Sequence, residues 1–447
     1  LVFIAYVESV GDLGTGAALV RWPDRWREVA QITLAINLAM AVVWFLLTLA
    51  VAPAVAAFFG SPDGVPVLRV LAWTFLLKAL GNTHDALLQR DLRFRARAIP
   101  ELGLLLVKAA VAIPLAAAGF GVWSLVWGQL VGQALWTVLL WVIVPWRPGR
   151  EIPRELIRPV FGYGRGIVAV NVLAVVVHHV DVVMVGRLFG PAVLGFYQMA
   201  EKLPDIAVTL LVRATSKVLF PAFSRLHAGG EALRDMYASS LRYLSLLTTP
   251  AAVGLVMLAE PIVLTVFGAQ WLPSVPILRA LAVYAGIRAL SATAGDVLKA
   301  IGRPGVLAGL GVVRAIVLIP ALYLASAGGP AALAAMLAAV MALSTVMTLW
   351  VVCRLAHISA WAVIDALRPG VMASALLAGA LALVRPLMQD LPHAAQLGLG
   401  ALSGIALYVA LVRVISPATW CEVREALARR RSPLPSAEPV LAEASVR

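Results

Sequence analysis

The chain is a succession of apolar segments, each about as long as a membrane-spanning helix. We count about thirteen runs of roughly 20 predominantly apolar residues, and a helix of that length crosses the hydrocarbon core of a bilayer. Of its 447 residues, 62% are hydrophobic and 13% are charged, whereas about a quarter are charged in a soluble domain. The sequence therefore predicts an all-α, polytopic membrane protein and leaves no room for a sizeable soluble domain.

The connecting loops alternate in their content of basic residues. Residues 21–27, 90–97 and 225–242 are rich in arginine, whereas 60–64 and 268–274 contain no Lys or Arg. The positive-inside rule makes the basic loops cytoplasmic, so we expect a multi-pass membrane protein with its C-terminus in the cytoplasm. The net charge of +13 then reflects topology and contact with anionic lipids, and we expect no nucleic-acid partner.

Two parts of the chain repeat each other. Residues 65–72 read VPVLRVLA and residues 275–282 read VPILRALA, and an Ile-Pro pair recurs at 113–114 and 319–320. These matches predict two pseudo-symmetric lobes in the same orientation, related by an axis along the membrane normal, with a cavity between them.

The repeat and the loops together predict the domain organisation. The chain starts inside an apolar run, so we expect the N-terminal lobe to lack its first helix, and a short surface helix is predicted within the linker. The predicted parts are an N-terminal lobe (1–146), a cytoplasmic linker (147–160), a C-terminal lobe (161–356), a final helix pair (368–416) and a cytoplasmic tail (417–447).

Four cations fall at matching positions of the two lobes, near the middle of apolar segments. Lys78 corresponds to Arg288, and Lys108 corresponds to Arg314. Charges at this depth cost several kcal/mol unless they face protein or water. One interpretation is a basic lining for an anionic substrate such as a phosphate or diphosphate, which arginine binds well.

The alternative is a structural ion pair within each lobe. Lys78 would then pair with Asp85 or Glu101, and Arg288 with Asp296. Both interpretations remain open from the sequence alone.

Other polar residues interrupt the apolar segments around the start of the second lobe. In the segment 167–185, Asn171, His178 and Asp181 share one helical face, which must turn towards protein or water. We therefore add Arg165, Arg213 and Asn171 to the candidate substrate-binding residues. Candidate ion-coupling residues are Asp12, Asp181 and Glu201, with helix capping and ion pairing as the alternative explanation for them.

Sequence signals for chemistry are lacking. No metal-ligand spacing or nucleotide-binding loop is present, so we expect no metal and no cofactor. The predicted external loops are short, so we expect no catalytic domain and no enzymatic activity.

Several stretches resemble the polysaccharide flippase (Wzx) family, and most of all its colanic-acid-exporter (WzxC-like) branch. They are DVVMVGRLFGPAVLGFY at 181–197, LFPAFSR at 219–225, ALLQRDLRF at 86–94 and GFGVWSLVWGQ at 119–129. The family belongs to the MOP exporter superfamily, which implies a MATE-like fold of two six-helix lobes plus a final helix pair.

The resemblance also implies a function. The substrate would be undecaprenyl-diphosphate-linked oligosaccharide, moved across the membrane by alternating access for surface polysaccharide export, with polysaccharide polymerase and export machinery as further partners. Two alternatives remain open. An ion-coupled drug exporter of the same superfamily would favour an acidic or aromatic cavity, and a membrane glycan polymerase or ligase would need a large external loop.

Overall fold

The computed structural model describes residues 25–91, 93–149, 153–209 and 230–417, together with Leu19, Leu211, Val212, Phe223 and Trp420. Between 154 and 178 it describes the helical backbone and the side chains of Glu155, Leu156 and Pro159 only. Every regular element in these parts of the chain is helical.

Thirteen α-helices make up the described fold. They are α1 Trp26–Phe58, α2 Gly64–Leu71, α3 Trp73–Arg90, α4 Phe94–Ala117, α5 Val122–Ile143, α6 Arg154–Pro204, α7 Glu231–Met257, α8 Ala259–Val266, α9 Val275–Ala300, α10 Pro304–Ala325, α11 Gly329–Leu355, α12 Ala360–Val384 and α13 His393–Ile415. One π-helical turn, Asp205–Thr209, follows α6 directly.

The lengths and compositions of these helices confirm a multi-pass membrane protein. Within the described residues, ten stretches are long and apolar enough to cross a membrane, and one of them, 51 residues long, contains both α10 and α11. The first predicted segment, apart from Leu19, and residues 210 and 213–220 of the one predicted at 194–220 lie outside the described residues.

Helix α6 departs from the prediction for the linker. A short separate surface helix was expected within 147–160, but the helix that begins at Arg154 runs on into the next apolar segment without a break. Its helical geometry is interrupted at Gly190, where φ is 83°. A side chain is strained at such a φ, so glycine suits this position, which lies between the two predicted spans.

The chain divides into two units, Leu1–Ala192 and Val193–Arg447. In the first unit, α5 is the central helix: α3 and α4 pack against it, and α1 packs against α3. In the second unit, α9 and α10 pack against α11, and α7 packs against α9. The packing order of the first unit is thus repeated in the second, which confirms the two similar halves predicted from the sequence.

The final helix pair is attached to the second unit. Helix α12 packs against α7 so closely that a Cβ atom at Gly370 would lie 2.3 Å from the Ser245 hydroxyl. Glu260, at the start of α8, accepts a 2.6 Å hydrogen bond from Arg385 and lies 3.9 Å from Arg279 of α9. Because lipid offers helices no hydrophobic reason to associate, close packing and polar contacts of this kind hold them together.

Candidate functional site

The four predicted cations occupy equivalent helices of the two units. Lys78 lies on α3 and Lys108 on α4, and both helices flank α5. Arg288 lies on α9 and Arg314 on α10, and both flank α11. All four side chains are half-buried, so each charge is neither fully removed from solvent nor fully open to it.

Arg288 is held by a carboxylate from another element. Its Nη2 donates to Oδ1 of Asp205 over 2.9 Å, and its guanidinium carbon lies 5.5 Å from the centre of the Tyr284 ring. Asp205 is the first residue of the π-helical turn after α6. Turns of this kind are rare in proteins, and those that occur are often at functional sites. The side chains of Arg288 and Asp205 remain 28% and 44% exposed.

Arg288 forms an ion pair, as the structural alternative predicted, but its partner is a different carboxylate from the one expected. Asp296, the expected partner, lies 3.4 Å from Lys299 on the same helix. In the first unit, Asp85 makes a bidentate pair with Arg97, with N–O distances of 2.7 and 3.0 Å. Of the two carboxylates predicted for Lys78, Asp85 therefore joins α3 to α4, and Glu101 lies 3.6 Å from the same Arg97.

The backbone at Lys108 lies directly against the central helix of its unit. A Cβ atom at Gly128 of α5 would lie 2.9 Å from the carbonyl oxygen of Lys108, and one at Gly132 would lie 3.3 Å from the Lys108 Cβ. Further along α5, Thr137 donates to the carbonyl oxygen of Leu77 over 2.7 Å. The two lysines are therefore separated by about 10 Å along the axis of α5.

Arg314 meets the central helix of the second unit differently. Its Nη1 lies 3.6 Å from the sulfur of Met341 on α11. A thioether is a weak acceptor and carries no charge. No carboxylate of the described residues lies within ion-pair distance of Arg314.

Four buried neutral groups form part of the interior of the first unit and were missed from the sequence. Thr33 and Asn37 lie on α1, and Gln129 and Gln133 lie on α5, all 2–5% exposed. Thr33 Oγ1, both amide atoms of Asn37 and Gln129 Oε1 have no hydrogen-bond partner among the described residues. The available signal was the spacing of four residues within each pair, which puts both members on one face of an apolar helix.

The other predicted residues are distributed along α6 or lie outside the described part. Asp181 is buried, and Glu201 is half-buried one turn before the Asp205 pair. Arg165 and Asn171 belong to the stretch of α6 whose side chains are not described, and Arg213 and Asp12 lie outside the described residues. Among the described residues, no three His, Cys, Asp or Glu side chains are grouped to hold a metal.

Two similar bundles of membrane helices with a final helix pair define the fold of MOP superfamily transporters. The structure is similar to that of the lipid II flippase MurJ in an inward closed conformation, with a TM-score of 0.75 and 14% identity over 92% of this chain and 89% of that chain. It is also similar to an inward-facing multidrug resistance MATE family transporter of the MOP superfamily, with a TM-score of 0.65 and 16% identity over 79% and 87% of the two chains.

The sequence identifies the family within this fold. The profile of the polysaccharide biosynthesis protein family matches residues 1–276, more than half of the chain, and the chain belongs to that family.

Curated relatives agree with that assignment. The chain is 26% identical to the teichuronic acid biosynthesis protein TuaB of Bacillus subtilis, over 67% of this chain and 62% of the relative. It is 26% identical to the succinoglycan biosynthesis transport protein ExoT of Rhizobium meliloti, over 71% and 64%. It is 24% identical to the lipopolysaccharide biosynthesis protein WzxC of Escherichia coli, over 72% and 66%. The chain thus spans less than two thirds of the length of these relatives.

Proposed function

We propose that this protein is a flippase for undecaprenyl-diphosphate-linked oligosaccharide repeat units and works by alternating access in the bacterial inner membrane. Its relatives include a succinoglycan transport protein and two proteins of surface-polymer biosynthesis, and its fold is shared with a lipid II flippase. The observation that carries the proposal is the set of half-buried cations at equivalent positions of both halves. No covalent step is required, and the protein is not an enzyme in this proposal.

Arg288 is the residue that we expect to exchange partners during transport. Phosphate oxygens offer the guanidinium the same charge-assisted hydrogen bonds as the Asp205 carboxylate. An incoming diphosphate therefore displaces Asp205 without leaving Arg288 unpaired at any stage, and the cost of binding stays low. Lys78, Lys108 and Arg314 supply further positive charge for the anion in this proposal.

Further residues complete this lining in the proposal. Arg165 and Arg213 extend the cationic surface, and Asn171 adds a neutral polar group. Thr33, Asn37 and Gln129, which have polar atoms without partners among the described residues, provide hydrogen bonds suited to sugar hydroxyls once the bundle opens.

Release of Asp205 also suggests how transport is coupled to an ion. The freed carboxylate lies one helical turn from Glu201, and two neighbouring carboxylates favour uptake of a proton or cation. Asp12, Asp181 and Glu201 are the proposed coupling residues. Each would alternate between a paired and an unpaired state as the lobes rock.

The proposed topology follows the basic loops. The lobes 1–146 and 161–356 and the final pair 368–416 span the membrane, and the linker 147–160 and the tail 417–447 are cytoplasmic. Beyond the lipid-linked oligosaccharide, the proposed partners are anionic lipids and the polysaccharide polymerase and export machinery.

Complementation of a flippase-null bacterium tests the proposal. We expect the full-length gene to restore surface glycan, and Lys78→Glu and Arg288→Glu each to abolish restoration while leaving the protein monodisperse in detergent. Arg303→Glu, at an exposed position, is the control for a charge reversal outside the lining. Full activity of both well-folded lining variants would refute the cationic lining.

The same strain tests the second candidate function. The structural similarity to a multidrug resistance MATE transporter favours drug export as that candidate. Drug resistance without restored surface glycan would establish it in place of the flippase.

A further inference from the structure

An arginine-lined cavity lies in the first unit, away from the cations discussed so far. It has a volume of about 450 Å³ and is formed by the start of α1, the end of α3 and the segment that follows α5. Its charged lining consists of Arg27, Arg93, Arg147 and Asp91, a net charge of +2. We call this cavity the basic pocket. By the positive-inside rule it faces the cytoplasm.

Arg147 is a fixed part of the pocket wall. Its Nη1 donates to the carbonyl oxygens of Val144 over 2.9 Å and Trp146 over 2.8 Å, and its Nη2 donates to that of Trp141 over 2.9 Å. These bonds satisfy one carbonyl group in the last turn of α5 and two in the segment that follows it. They use three of the five guanidinium N–H groups, so two donors remain.

The positive charges of Arg27 and Arg93 are not balanced by an acidic partner. Neither side chain makes a hydrogen bond or an ion pair with another residue in the described ranges, whereas Arg27 lies 5.4 Å from the centre of the Trp26 ring. Arg90 lies 4.7 Å from the centre of the same ring. Arg90 also lies 3.9 Å from Asp91, so the acidic group of the lining faces Arg90 and not Arg27 or Arg93.

Two other arginines of this region do have acidic partners. The hydrogen bonds of Arg25 to Glu28 and, over 2.6 Å, to Glu155 raise its pKa above the ordinary value. Arg97 is paired with Asp85. Arg27 and Arg93 thus differ from Arg25 and Arg97 in having no acidic partner among the described residues.

The surroundings of the pocket favour a lipid over a free anion. Leu87, Leu88 and two tryptophans share its lining, and tryptophan is typical of the membrane interface. Immediately after Arg93, α4 exposes Phe94 (60%), Ile99 (55%) and Leu102 (58%). A headgroup in the pocket would thus lie next to an apolar helix face long enough for an acyl chain.

We propose that the basic pocket binds the headgroup of an anionic phospholipid of the cytoplasmic leaflet, with its phosphates on Arg27, Arg93 and Arg147. The charge of +2 and the volume favour a headgroup with two phosphates, as in diphosphatidylglycerol, because a single phosphate fills only a small part of 450 Å³. Basic pockets of this kind on the cytoplasmic side of membrane helices are typical sites for such headgroups. The site is separate from the transport path and does not depend on the proposed substrate.

Native mass spectrometry of the full chain in detergent, titrated with diphosphatidylglycerol, measures this binding. We expect Arg27→Gln combined with Arg93→Gln to weaken binding at least tenfold. The matched control, Arg95→Gln with Arg303→Gln, removes the same charge at exposed positions outside the pocket and should change affinity less than twofold. Asp91→Asn should tighten binding several-fold, an effect that misfolding cannot produce.

Competition experiments distinguish a lipid headgroup from other phosphate-containing ligands. Phosphatidylglycerol, with one phosphate, should bind more weakly than diphosphatidylglycerol, and inorganic phosphate at 10-fold excess should leave the lipid bound. Equal weakening by the pocket and control variants, or no gain for Asp91→Asn, would overturn the proposal. Displacement by free phosphate would reassign the pocket to soluble anions, and stronger binding of undecaprenyl diphosphate would reassign it to the transported substrate.

Discussion

Variants of the ion pair between Arg288 and Asp205 should affect the stability of the protein and its transport activity in different ways. Arg288→Gln leaves the Asp205 carboxylate without the cation that now lies 2.9 Å away. Asp205→Asn removes the negative charge opposite Arg288, which still contacts the Tyr284 ring. The double variant removes both charges, so it should be more stable than the sum of the two single effects predicts.

The exposure of the two side chains determines how much stability each variant loses. Removing one partner of a fully buried pair costs about 3–5 kcal/mol, and an exposed pair contributes about 0.2–1 kcal/mol. With exposures of 28% and 44%, this pair lies between those limits. We expect losses of about 2 kcal/mol for Arg288→Gln, about 1 kcal/mol for Asp205→Asn and about 1 kcal/mol for the double variant, a coupling of about 2 kcal/mol.

Equilibrium unfolding of the four proteins in mixed detergent micelles measures the coupling, and lipid-linked oligosaccharide translocation in vesicles measures transport. Asp205→Asn should bind the substrate more tightly, because the anion no longer displaces a carboxylate. The double variant should fold and fail to transport, because the cation for the diphosphate is gone. A coupling below about 0.5 kcal/mol would refute the stability argument, and wild-type transport by the double variant would refute the role of Arg288.

Two further predictions concern packing and polar contacts in the individual units. Gly370→Ala places a methyl group 2.3 Å from a serine hydroxyl of α7 and should cost about 2–3 kcal/mol in detergent unfolding. Gly379→Ala on the same helix, with no atom within 4 Å, should be neutral or stabilising by up to about 1 kcal/mol; equal losses would contradict this. Asp85→Asn removes the bidentate pair with Arg97 and should cost about 1–2 kcal/mol, whereas Glu101→Gln, 56% exposed, should cost a few tenths; the reverse order would exclude that pair as the main tie between α3 and α4.

The helices and the repeat were predictable because the bilayer imposes both length and composition on each span. Finer breaks were missed. The predicted span 244–267 divides at Leu258 into α7 and α8, and Pro261, which cannot donate to the carbonyl group of Met257, was the available signal. Packing of α8 against the final helix pair accompanies the break, and such a contact is invisible in the local sequence.

The positions of the cations were predictable, but their partners were not. Asp296 is eight residues from Arg288, a separation of about 12 Å along a helix, so the two lie two turns apart. Asp205, 83 residues away in the chain, approaches Arg288 only through tertiary packing. Likewise, Arg97 was counted among the loop arginines that set topology, and the structure pairs it with Asp85.

Glu260 has a consequence for how proteins of this architecture can diverge. One carboxylate interacts with Arg279 of α9 and with Arg385 just beyond α12, so two separate parts of the chain depend on the same acidic group. An exchange of the last two helices between relatives therefore has to preserve this contact. A transplanted helix pair without an arginine equivalent to Arg385 would leave Glu260 with Arg279 alone, whereas one that brings such an arginine, and a small residue where Gly370 packs on α7, would keep the existing contacts.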